Sequence, residues 1–331
     1  MEKEHEATEG IIRPRFSLTT KVLVWIILPL LFVARALPSP VSAALIPALL
    51  IPTSYLLRYD RARPADQWVD LETFIWTFVQ TGLIGSCATA LVQMALAWLF
   101  IFAVFRGLTF GFIKEIAWGQ LDMETFQTAA TVHMKQQRVL WTFMRLSHYL
   151  VTAIAEASLS YFGLMYARRR GRVVHEHNYL TLGAASALGY ITLQSHLYLH
   201  AATQRDYEPI DLANNLVDYG WGIYIMSGLL TGLGAARRDF RGENLSILKI
   251  LYLPVLFHCT WVLSMMVGGQ WIYSFGRYIG LIPLFGYKVV QLCGICIITI
   301  VVQGALAVVV RGRFAAWKAQ QVRCIILLAT P

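Results

Sequence analysis

The chain is predicted to be an all-α membrane protein, a polytopic transmembrane helical bundle of about eight spans. Three observations carry this. Of 331 residues, 57% are hydrophobic and 14% charged, with a mean hydropathy of +0.55. Uncharged runs of about 20 residues recur, the length that crosses a hydrocarbon core of ~30 Å as a helix. No series of alternating ten-residue segments appears, which argues against a β-barrel.

The spans follow in order. Span one covers residues 22–36, with Pro29 inside it and Arg35 able to snorkel at its end. Span two covers 41–57, where Pro47 and Pro52 predict kinks that neighbouring helices can accommodate. A charged loop precedes a long uncharged run, residues 73–105. Residues 71–81 read as an interfacial or re-entrant lead-in, with Trp68 and Trp76 at headgroup level, and span three covers 82–105. The loop 106–145 predicts an amphipathic helix, since Leu121, Phe126, Ala129 and Ala130 alternate with Asp122, Glu124, Gln127 and Thr128. Spans four to eight cover 146–167, 179–199, 217–236, 247–267 and 289–310. Residues 271–287 contain Arg277 and Pro283 and read as interfacial or re-entrant.

Charge sets the orientation. With the N-terminus in the cytosol, 19 of the 28 Lys and Arg residues fall on cytosolic segments. Most of the others lie in the 106–145 loop, where the positive-inside rule is weak. Both termini are therefore expected in the cytosol. A tail (1–21) precedes one membrane domain (22–310), and a second tail (311–331) follows it. Residues 1–21 lack an apolar h-region, so span one reads as an uncleaved anchor. An endoplasmic reticulum or other endomembrane location is the default.

The net charge of +9 does not indicate nucleic acid, because the basic residues sit at span ends rather than in one aromatic-rich groove. Cys293 and Cys296 spell CxxC inside an uncharged run and read as packing residues. No disulfide framework, lipidation signal, cofactor motif or metal motif is read from the sequence.

Three polar features stand at membrane depth. Glu156 lies at the middle of span four, where an ionisable group costs at least ~2.5 kcal/mol and needs a cavity or a partner. At 100° per residue, His148, Thr152, Glu156, Ser160 and Gly163 form one polar, small-residue stripe. On span five, Tyr190, Gln194 and Tyr198 share one face, and His196 and His200 occupy roughly the opposite one. On span seven, His258 is central, with Trp261 one turn on. Glu156 and His258 are the candidate catalytic pair. Ser160, Tyr190, Gln194, Tyr198 and Trp261 are candidate supporting or substrate-binding residues. A protonated Glu and a packing His are the alternative reading.

Order and spacing resemble the CAAX prenyl endopeptidases and PrsW-type intramembrane glutamate proteases. Glu156-Ala157-Ser158-Leu159-Ser160 stands where that family has its Glu-Glu motif. Residues 183–198, with Tyr190, Gln194, Ser195 and His196, resemble the second motif, and His258-Cys259-Thr260-Trp261 the third. The segment from Asp70 to Gly82 is similar to the lead-in of fungal PrsW-like proteins, so the resemblance covers about residues 70–268. It implies a carboxylate that activates water with help from a His or a second acid. The second Glu is replaced by Ala157, the Lys by Ser160, and the Glu-Asn pair by Gln194-Ser195. These departures imply a retained scaffold that has lost peptide hydrolysis. In general character the chain is similar to membrane proteins of fungal terpenoid and indole-diterpene pathways. Membrane lipids, an isoprenoid or prenylated substrate and other membrane-bound pathway proteins are the expected partners.

Three function classes stay open on these residues. One is a non-proteolytic pathway protein that starts an acid-initiated cyclisation or binds an isoprenoid intermediate. Another is an active intramembrane protease, and the last is a transporter or partner-binding membrane subunit.

Overall fold

A computed structural model describes residues 16–36, 47, 49–104, 138–170, 173, 175–203, 221–278 and 287–329. Among these residues there are helices and turns and no strand. The principal helices are α1 (Leu18–Val22), α2 (Leu28–Ala36), α3 (Ile51–Arg61), α4 (Leu71–Gln80), α5 (Ser86–Val104), α6 (Arg138–Arg169), α7 (Glu176–Thr203), α8 (Trp221–Arg241), α9 (Ile247–Tyr278) and α10 (Tyr287–Ala329). A π-helical turn at Leu23–Ile27 joins α1 to α2, and another at Thr81–Gly85 joins α4 to α5.

Four stretches are long and apolar enough to cross a membrane: Ala65–Leu96, Tyr149–Arg169, Ile247–Ser264 and Cys293–Ala316. Their outer faces carry Leu91, Phe162, Ile300 and Val308, each more than half exposed. Large apolar side chains on an exterior suit lipid rather than water.

Helices α7 and α8, expected as spans five and six, are not among those four. Length and apolarity alone define those four. From Tyr179 to Ile191 every residue of α7 is buried. The helix packs against α8, α6, α4, α3 and the Thr81–Gly85 turn. A helix enclosed by other helices needs small and polar contact residues more than long apolar ones. Gly228 and Gly232 of α8 form a GxxxG pair against α7. The Gly228 backbone meets that of Gly183, and Gly232 meets the Tyr179 carbonyl.

The 71–81 segment is a helix of the core. Asp70 caps it, its Oδ2 accepting from Thr73 N at 2.9 Å. Thr73, Phe74 and Thr77 are buried. At the π turn, a Cβ on Gly82 would come within 2.9 Å of the Gly189 carbonyl, so glycine permits α7 to cross there. Helix α9 continues past the expected end of span seven to Tyr278, and α10 continues through the expected tail to Ala329. The amphipathic helix expected in 106–145 falls largely outside the described residues, as do residues 279–286.

One end of the bundle is basic. Tyr179 Oη donates to Asp239 Oδ2 at 2.8 Å, and Arg168 Nη1 lies 3.0 Å from the same oxygen. Arg238 donates to Asp239 Oδ1 at 2.8 Å and to Tyr161 Oη at 2.6 Å. These contacts tie α6, α7 and α8 together. Asp60, fully buried, accepts from Val69 N at 3.1 Å and from Thr181 Oγ1 at 3.3 Å, which adds α3 to that end.

Two tests follow from this packing. Gly228→Leu should lower stability in detergent by more than the ~1–3 kcal/mol of ordinary overpacking, because the clash is with backbone. Gly304→Ala, where an added Cβ meets nothing within 4 Å, should be neutral or stabilising. Thermal unfolding checks both. The second test concerns Asp239. Burial alone would raise its carboxyl, but hydrogen bonds from Arg238 and Tyr179 and the charges of Arg238 and Arg168 hold it below the usual carboxylate range. A carboxyl depressed by folding stabilises above its unfolded pKa of about 3.9, and that stability is lost as pH falls through the folded value. Wild type should therefore lose stability more steeply than Asp239→Asn on acidification below about pH 4.

Candidate functional site

Glu156 of α6 and His258 of α9 meet inside the bundle, with His258 Nδ1 3.0 Å from Glu156 Oε2. Both are buried, at 8% and 6% exposure. The approach lies outside good hydrogen-bond geometry, since Oε2 has no well-formed hydrogen bond among the described residues. The contact is thus a close carboxyl–imidazole pair with bonding capacity left over.

Three other helices complete the surroundings. From α7, the Tyr190 hydroxyl faces Glu156 and Thr89. Gln194 Nε2 donates to Tyr190 Oη at 3.3 Å. That donation leaves the Tyr190 O–H free to donate to the carboxyl. From α8, Tyr224 stands edge-on to His258, with ring centroids 5.6 Å apart at 81°. Tyr190 and Tyr224 lie 6.3 Å apart, so the two phenol rings line one side of the pair. From α5, Gln93 Nε2 donates to Thr152 Oγ1 at 2.9 Å, one turn from Glu156.

The α6 stripe therefore looks into the bundle. Glu156 and Ser160 are buried, and Gly163 packs against the Thr81 and Ser186 hydroxyls, which bond each other at 2.9 Å. Of the predicted site residues, Glu156, His258, Tyr190 and Gln194 gather in one place. Ser160 is buried one turn along α6. Trp261 lies in an apolar cluster with Ile223, Leu230, Phe257, Leu306 and Val310, and Tyr224, which stands against His258, packs on the same cluster. The Tyr198 side chain lies outside what the structure describes.

Tyr224 and Thr89 carry no sequence signal. Each is a common membrane-helix residue whose neighbour is fixed only by the crossing of α8 or α5 with the site. Chemically, the cluster offers one carboxyl, one imidazole and a phenol near each other in the buried interior. Among the described residues, no group of three or more His, Cys, Asp or Glu gathers as a metal would require.

Removing one member of a buried pair leaves the other unmatched. His258→Ala should cost about 3–5 kcal/mol of stability. A double-mutant cycle with Glu156→Gln should give a coupling of at least about 1 kcal/mol, whereas additive losses would mean the two side chains ignore each other.

No protein-family model, no curated protein and no solved structure matches this chain.

Proposed function

We propose that the chain is a multi-pass membrane protein whose Glu156–His258 pair works as an acid–base couple on an apolar, isoprenoid-type substrate of a secondary-metabolite pathway, without hydrolysing peptides. The observation that carries this reading is the 3.0 Å contact between the two groups in the bundle interior. A carboxylic acid shielded from water can pass its proton to an olefin carbon or an epoxide oxygen. Cyclisation of the resulting cation ends with loss of a proton to the carboxylate, so the net change is an isomerisation that needs no oxidant. His258 holds or returns the proton between turnovers, and Tyr190 orients the carboxyl. Tyr190 and Tyr224 offer aromatic faces beside the pair, the surface that suits a carbocation.

The membrane arrangement in this reading has eight crossings with both termini in the cytosol, in an endomembrane. The gathering of Arg168, Arg238, Arg61 and Arg63 at one end of the bundle supports it, because the positive-inside rule places such an end in the cytosol.

A second reading rests on the same contact. A carboxylate beside an imidazole could activate water for intramembrane proteolysis, as the PrsW-type resemblance implies. Ala157, Ser160, Gln194 and Ser195 weigh against it, because they replace the residues that family uses.

The test is gene deletion with metabolite profiling in the native host, complemented by Glu156→Gln. A terpenoid-type product should vanish on deletion. The Gln allele, accumulating normally, should restore it at least ~100-fold less well than wild type, the share a general acid supplies. Unchanged metabolites would sink the pathway reading. Cleavage of a membrane peptide by purified protein, lost in His258→Ala, would establish the protease instead.

A further inference from the structure

A cleft of about 130 Å³ opens between α8, α9 and α10 at the basic end of the bundle. Leu230, Ile250 and Leu253 give it an apolar wall, and Arg237, Lys249 and Arg313 also line it. The three cations differ. Arg237 is matched by Glu243 through contacts of 2.6 and 2.9 Å. Lys249 and Arg313 are exposed, and neither pairs with an acid among the described residues. Their charges are therefore available to a ligand.

Two further features set the polarity and the shape. The cleft lies at the N-terminus of α9, a helix of 32 residues, whose first amides add a positive field. Ser246 satisfies part of that end, its Oγ accepting from Lys249 N at 3.4 Å. The apolar wall also runs out to the exterior at Tyr252, which is 62% exposed. A soluble anion has no use for such a wall, whereas an acyl chain does.

We infer that this cleft binds an anionic phospholipid of the leaflet that the basic end faces. The phosphate sits between Lys249 and Arg313, and one chain lies along Leu253 and out past Tyr252. Basic pockets between membrane helices recognise lipid head groups in this way. The inference rests on the membrane-spanning reading but not on any chemistry at Glu156.

The experiment uses the full chain in nanodiscs of phosphatidylcholine with a minor fraction of phosphatidic acid, followed by native mass spectrometry of retained lipid. Wild type should keep phosphatidic acid in preference to phosphatidylcholine. Lys249→Gln with Arg313→Gln should weaken that preference roughly thirtyfold, at about fivefold for each basic residue lost near the surface. Both side chains are exposed, so the variant should fold, with an unchanged unfolding temperature in phosphatidylcholine alone as the check. Lys249→Arg should retain the preference. Arg169→Gln, a surface cation outside the cleft, should leave it untouched; equal loss there would reduce the effect to general surface attraction and overturn the site. Unchanged preference in the double variant, or displacement of the lipid by inorganic phosphate, would also overturn it. Glu156→Gln should retain phosphatidic acid like wild type, which separates this result from the acid–base reading.

Discussion

Burying a carboxyl against an imidazole is the constraint around which the bundle is arranged. Glu156 at mid-helix cannot face lipid without a large desolvation cost. It turns inward, and His258 on α9 meets it. That meeting fixes the rotation of α6 and α9 about their axes. Around it, α7 and α8 bring Tyr190, Gln194 and Tyr224.

The close approach of those helices comes from small residues rather than from apolar bulk. In a lipid environment, helices gain little from hiding Leu against Leu, so backbone proximity and polar contacts decide which helices pair. Gly183 against Gly228, and Gly189 against the α4–α5 junction, bring α7 to the centre. The π turn at Thr81–Gly85 lies at that second crossing, where Thr81 bonds Ser186. Scaffold and site therefore share one helix: α7 is both the most enclosed element and the carrier of Tyr190 and Gln194. At the basic end, the Asp239 network and the cleft beside Lys249 and Arg313 occupy the surface that the interior does not use.

Much of this was legible in the residues. Hydropathy gave an all-helical membrane-type chain. Helical spacing placed Thr152, Glu156, Ser160 and Gly163 on one inward face. The isolation of Glu156 and His258 in apolar segments marked them as partners. Three things were not legible, for physical reasons. Helices α7 and α8 meet through small and polar contact residues, so length and apolarity alone do not mark them as spans. Residues 71–81 look interfacial because the uncharged run 73–105 exceeds one span and Trp68 and Trp76 stand at its start, yet Thr73, Phe74 and Thr77 are buried, with Thr77 bonding Thr73 O at 2.7 Å within the helix. Trp261 shares a helix with His258, but one turn is enough to put it among Ile223, Leu306 and Val310. Tertiary crossings decide such neighbours, and one-dimensional spacing does not contain them.

The central claim is that Glu156 and His258 behave as one coupled unit in the protein interior. Infrared difference spectroscopy of the purified chain, with the Glu156 carboxyl stretch assigned by difference against Glu156→Gln, tests it most directly. The stretch should change frequency when His258 is replaced by Asn, because the contact between Nδ1 and Oε2 is lost. An identical carboxyl band in wild type and His258→Asn would contradict it, and would leave Glu156 as a carboxyl that merely lies beside a histidine.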